Sequence, residues 1–150
     1  MNPIQRSAGL ARSLLVVFGL AACKLDDLSS SLEPEVGTGQ VYTLVTVNER
    51  AIPLTLTENG ISFEIQRGAL TLAADSSWIL SFVVRQAGAG ASQRTVSTQR
   101  GRYTHPQVNT VRLTPSPTDT VARFLGTYSP TAVVLTDQSV PNGDRLGFTK

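Results

Sequence analysis

The chain has 150 residues, with 13 Lys and Arg against 11 Asp and Glu, one Cys and one His. Arg6 and Arg12 precede the first acidic residue, Asp26. Without these two, 11 basic residues face 11 acidic ones, and a neutral domain has no electrostatic footprint for phosphate backbones. A single Cys excludes an internal disulfide framework, and with one His there is no His-x-x-x-His or Cys pair to hold a metal.

Residues 1–22 have the three parts of an export signal. Arg6 and Arg12 make the start positive, and residues 14–20 form an apolar core of about seven residues, within the usual secretory length. A membrane-spanning helix needs about 20 apolar residues, so this run is too short to be one. The segment closes with Leu20-Ala21-Ala22-Cys23. That tetrad resembles the lipobox of bacterial lipoproteins, which implies cleavage between Ala22 and Cys23. Cys23 would then carry a thioether-linked diacylglycerol and an N-acyl chain such as palmitate. Three acyl chains, at about 0.8 kcal/mol per buried methylene, make a persistent membrane anchor. Lys24 follows directly, and by resemblance to enterobacterial lipoproteins the lack of Asp there permits outer-membrane sorting if the cell is Gram-negative.

Residues 23–39 read as a lipidated, flexible tether: Asp26-Asp27, Ser29-Ser30-Ser31, Pro34, Gly37 and Gly39, with no helical or strand period. Too few apolar side chains are present to offset ordering entropy, so this stretch is expected to add little stability.

Residues 40–150 read as short β runs: 41–47, 54–57, 61–66, 69–73, 78–85, 94–98, 102–104, 110–114, 121–128, 132–135 and 146–149. Turn residues separate them, among them Asn48-Glu49-Arg50, Asn59-Gly60, Arg67-Gly68, Ala74-Asp75-Ser76-Ser77 and Asn142-Gly143-Asp144. In 78–85 Trp78, Leu80, Phe82 and Val84 alternate with Ile79, Ser81, Val83 and Arg85, and the Trp78 face is expected inside, met by Leu70 and Leu72. The fold class is all-β. Successive short hairpins favour a small antiparallel up-and-down barrel of about 8–10 strands, whose closure removes exposed edges.

Tyr42-Thr-Leu-Val-Thr-Val-Asn-Glu-Arg-Ala-Ile-Pro-Leu54 resembles the Y-x-L-x-x-V-N-G-x-x-L-P opening of small bacterial lipocalin-like lipoproteins of unknown function. Gly68-Ala-Leu-Thr-Leu-Ala-Ala-Asp-Ser-Ser-Trp78 is similar to their G-x-L-T-L-x-x-D-G-T-Y hairpin, and Gly101-Arg-Tyr-Thr104 and Val111-Arg-Leu-Thr-Pro115 to their later runs. Glu49 and Ser76 stand where that pattern has Gly, so these two turns are where this chain departs from it. Gly39-Gln-Val-Tyr42 lacks the Trp of the G-x-W found in true lipocalins. The resemblance implies the barrel and names no ligand or cofactor.

Catalytic patterns are weak. His105, beside Pro106, reads as a solvated loop residue, and no Gly-x-Ser-x-Gly precedes a helix. Glu58, Glu64, Asp75 and Asp119 are the carboxylates from which a glycosidase-like pair would have to come. Arg94, Arg100 and Arg102 read either as an anion or glycan patch or as guards of an exposed strand. Tyr42, Phe63, Trp78, Leu80, Phe82 and Phe124 either fill the barrel or line a ligand cavity. The expectation is a non-enzymatic, cofactor-free lipoprotein of the bacterial cell envelope. It would be held to the membrane by its N-terminal lipid and display a β-barrel module toward an envelope protein, a glycan or a small apolar ligand. The alternatives are a carrier of a small apolar molecule and a weak carboxylate-dependent hydrolase.

Overall fold

A computed structural model describes residues 32–88, 91–115 and 121–150. The leader, Cys23 and most of the tether lie outside the described residues. Ten strands are formed among the described residues: β1 (Gln40–Val47), β2 (Arg50–Ala51), β3 (Leu54–Glu58), β4 (Ile61–Leu72), β5 (Ser77–Gly88), β6 (Ala91–Thr104), β7 (Thr110–Thr114), β8 (Phe124–Tyr128), β9 (Ala132–Asp137) and β10 (Arg145–Thr149).

Eight of them close an antiparallel barrel in the order β1-β10-β9-β8-β7-β6-β5-β4, with β4 pairing back onto β1 through Gln40↔Leu72 and Thr43↔Ala69. The expected up-and-down barrel is the fold. β2 and β3 are additions within the β1–β4 connection, pairing with β1 and with the first half of β4. Strand β4 can serve two neighbours because a bulge between Ile65 and Arg67 redirects it.

Arg67-Gly68, expected as a turn, therefore lies inside one 12-residue strand. Gly68 is small because of packing: a Cβ there would stand 2.9 Å from Leu44 Cδ2 and 3.0 Å from Phe82 Cδ1. The runs at 94–98 and 102–104 likewise merge into the 14-residue β6, and Arg50–Ala51, expected as turn, pairs with β1. The run at 121–128 shortens to β8, whose registered pairs with β7 and β9 begin at Phe124.

The turns explain how the register is held. Asn48 and Glu49 both have positive φ, 50° and 66°, as a two-residue hairpin between Val47 and Arg50 requires. Asn59 and Gly60 repeat this at 51° and 78° between Glu58 and Ile61. Ser76 has φ 65° in the β4–β5 turn. Glu49 and Ser76 thus keep the left-handed backbone that glycine would supply most readily.

Alternation sends one face of each strand inward. Trp78, Leu80 and Val84 of β5 are 0–1% exposed and Phe82 8%, packed with Leu70 and Leu72 of β4 as expected. Trp78 meets Phe124 edge-on with ring centroids 6.2 Å apart, and its indole N–H faces the carbonyls of Arg102 at 3.1 Å and Thr114 at 3.0 Å. An indole so placed is satisfied without water.

The outer face of β4 and β5 is also covered, and this corrects the expectation of a free tether up to residue 39. Residues 32–38 contain no strand but run along the wall as a strap. The Glu35 N–H donates to Ser81 Oγ at 2.8 Å and the Gly37 N–H to Thr71 Oγ1 at 3.3 Å. Glu33 pairs with Arg67, and Glu35 with Arg100. Gly37 approaches so closely that an added Cβ would stand 2.9 Å from Ile79 Cδ1. Ser81 and Thr71 are consequently 0% and 1% exposed, although both point out of the barrel.

Candidate functional site

In an up-and-down barrel, the start of β1 and the ends of β4, β6 and β8 meet at one rim. This rim holds a cleft of about 190 Å³, lined by Gly39, Gln40, Leu72, Ala74, Tyr103, His105 and Tyr128. Tyr103 is the penultimate residue of β6 and Tyr128 the last of β8, while His105 follows β6 directly. Tyr42, fully buried in β1, forms the floor beneath Tyr128 with ring centroids 6.3 Å apart.

Two of the phenols at the mouth are ordered by one amide. Gln40 Oε1 accepts from the Tyr42 hydroxyl at 2.7 Å and from the Tyr128 hydroxyl at 3.2 Å, using both carbonyl lone pairs. The Tyr103 hydroxyl donates to the Ala73 carbonyl at 2.8 Å. His105 Nδ1 lies 2.7 Å from the Thr110 carbonyl, an acceptor only, so Nδ1 carries a hydrogen there. Its ring sits between two tyrosines, 5.4 Å from Tyr103 and 4.9 Å from Tyr128 by centroid.

The lining of the mouth holds no carboxylate, ammonium or guanidinium group. Burial, then the neighbouring phenols of Tyr128 and Tyr103, push the Tyr42 phenol well above its ordinary range. Burial, then Tyr128 and Asp75, raise Tyr103 as well. Both remain un-ionised hydroxyls at physiological pH.

The sequence-derived site residues fall in three places. Ala22 and Cys23 lie outside the described residues. Tyr42, Phe63, Trp78, Leu80, Phe82 and Phe124 all belong to the buried core, and of these Tyr42 alone places a hydroxyl on a residue lining the mouth. Arg94, Arg100 and Arg102 share β6 but do not converge on a common site: Arg100 holds the strap, Arg102 donates to the Asp75 carbonyl, and Arg94 stands opposite Arg85.

The carboxylates do not gather either. Asp119 and the Glu58 side chain lie outside what is described. Glu64 accepts from Gln66 at 2.8 Å in the half of β4 that pairs with β3. Asp75 lies past the other end of that strand, where bonds from the Ser77 hydroxyl at 2.6 Å and N–H at 2.9 Å hold its carboxyl below the usual value. At the rim opposite the mouth, Asp137 pairs with Arg123 at 3.2 Å, and Asp144 accepts from the Asn48 amide at 2.7 Å. Burial, together with the nearby Asp137, raises the Asp144 carboxyl. These two acids knit loops together. Among the described residues no cluster of three or more His, Cys, Asp or Glu is placed to hold a metal ion.

Sequence reasoning singled out His105 as a solvated loop residue and passed over Tyr128. His105 is exposed, yet its ring is part of the aromatic rim. The available signal was positional: Tyr42 near the start of β1, and Tyr103 and Tyr128 at the ends of even-numbered strands, must share one rim once the barrel closes. No family model matches this chain, and neither a curated protein nor a solved structure matches it.

Proposed function

We propose that this protein is a lipid-anchored lipoprotein of the bacterial cell envelope whose barrel is a binding module, with the aromatic mouth as its contact site. The observation that carries the module reading is the mouth itself. It is a small, ring-lined cleft on the barrel rim with no carboxylate, ammonium or guanidinium group in its lining, whereas the interior behind it is filled by Trp78, Phe124, Phe148 and their neighbours. Mouths of β-barrels with a few convergent polar groups are where binding sites are commonly built. A filled interior favours this module over a carrier that encloses an apolar molecule. Glu64, Asp75 and His105 are each engaged in local bonds, which favours binding over hydrolysis.

The anchor reading rests on the Leu20-Ala21-Ala22-Cys23 tetrad behind its apolar leader. Because Glu33 pairs with Arg67 on the barrel wall, only Lys24–Leu32 separate the lipidated cysteine from the first residue held there. That linker reaches at most about 35 Å, at about 3.3–3.6 Å per residue. The barrel therefore works close to the membrane surface. Cys23→Ser abolishes labelling by a fatty-acid probe and releases or mislocalises the protein; labelling that persists in the variant overturns the anchor.

A further inference from the structure

We infer that the mouth takes a single uncharged sugar ring, presented as one unit of a longer glycan, an assignment that rests on the binding-module reading above. Charge is the first discriminator. The cleft is lined by no carboxylate, ammonium or guanidinium group, and Tyr103, the lining phenol whose ionisation burial raises, stays neutral. A charged ligand would lose its hydration there without gaining a counter-charge.

Polarity is the second. The Gln40 carbonyl is consumed by two phenols, and its amide –NH2 has no partner among the described residues. His105 donates through Nδ1 to the Thr110 carbonyl, which leaves Nε2 as the ring's second polar atom. A wholly apolar ligand would cover the amide and this ring nitrogen and leave both unpaired, which costs affinity. A sugar ring has hydroxyls, each both donor and acceptor, for these two groups and an apolar C–H face for the Tyr103, His105 and Tyr128 rings.

Size is the third. At about 190 Å³ the cleft is smaller than the usual 300–1,000 Å³ of an enclosing small-molecule pocket, so it holds one ring. Because it sits on the rim, the rest of a chain runs outward without meeting the barrel.

The test is saturation-transfer NMR on the full chain in a detergent without a sugar headgroup, using glucose, galactose, mannose and N-acetylglucosamine. Glucuronate and toluene serve as charged and apolar comparisons. At least one neutral sugar is expected to bind in the millimolar range. Tyr128→Ala and His105→Ala are each expected to weaken it about threefold to tenfold, the scale of one lost aromatic contact. Thr43→Ala, on the outer wall, should leave binding unchanged, and Tyr128→Phe, which keeps the ring, should bind better than Tyr128→Ala. Absence of transfer from all four sugars overturns the inference, as does native-like binding by both Ala variants. Toluene binding that Tyr128→Ala abolishes, with no sugar binding, overturns the sugar assignment while leaving a binding mouth. The fate of the Cys23 probe is read separately and bears only on the anchor.

Discussion

The barrel wall differs on its two sides. Across β8 the pattern is one-sided: Phe124 is buried inside, while Leu125 next to it is 41% exposed. Along the middle of β5 both faces are buried, with Leu80, Phe82 and Val84 inside and Ser81 and Val83 outside at 0% and 2%. A strand covered on both faces reads as a near-continuous apolar run, and Trp78-Ile-Leu-Ser-Phe-Val-Val84 is such a run. The difference shows that residues 32–38 belong to the fold. It also places Ser81, a polar residue on an outward face, among the structural hydrogen bonds.

That contrast sets out what was legible in advance. Alternation found the inner face of β5 and its partners on β4, because side-chain direction along a strand follows from covalent geometry. Closure into an up-and-down barrel followed from strand number and short turns. The strap was not legible, because its attachment uses backbone N–H groups of Glu35 and Gly37 and two ion pairs, none of which leaves an apolar period. The mouth was not legible for a different reason. Gln40, Tyr103, His105 and Tyr128 are far apart in the chain and meet only once the strand ends share a rim. Gly68 misled as punctuation, since glycine that makes room for Leu44 and Phe82 looks in sequence like glycine in a turn.

The largest expected effect lies on the inner face. Trp78→Ala removes a fully buried indole with two carbonyl partners and should cost about 3–5 kcal/mol, a large share of the about 5–15 kcal/mol typical of a domain. Denaturant unfolding checks this, and a loss below about 1 kcal/mol would deny Trp78 its central place in the core.

Next comes the strap. A chain beginning at Gly39 loses the bonds from the Glu35 and Gly37 N–H groups, each worth about 0.5–1.5 kcal/mol net. The Glu33–Arg67 and Glu35–Arg100 pairs are about half exposed and add little. The shortened chain should therefore lose about 1–3 kcal/mol and melt several degrees lower. Equal melting points for the two chains would return residues 32–38 to the status of a tether.

The smallest effect sharpens the contrast between the two walls. Ser81→Ala leaves the Glu35 N–H without its acceptor and should cost about 1–2 kcal/mol. Thr127→Ala, a similar truncation on the bare outer face of β8, should stay within about 0.5 kcal/mol. Matching values would mean that the strap contributes nothing beyond cover.

The lipid-anchored module is tested most directly by the intact mass of the protein extracted with its native membrane. The account predicts a chain that begins at Cys23, lacks residues 1–22, and carries the added mass of a diacylglycerol and one further acyl chain. A chain that retains Met1, or one that begins elsewhere with an unmodified Cys23, would contradict it.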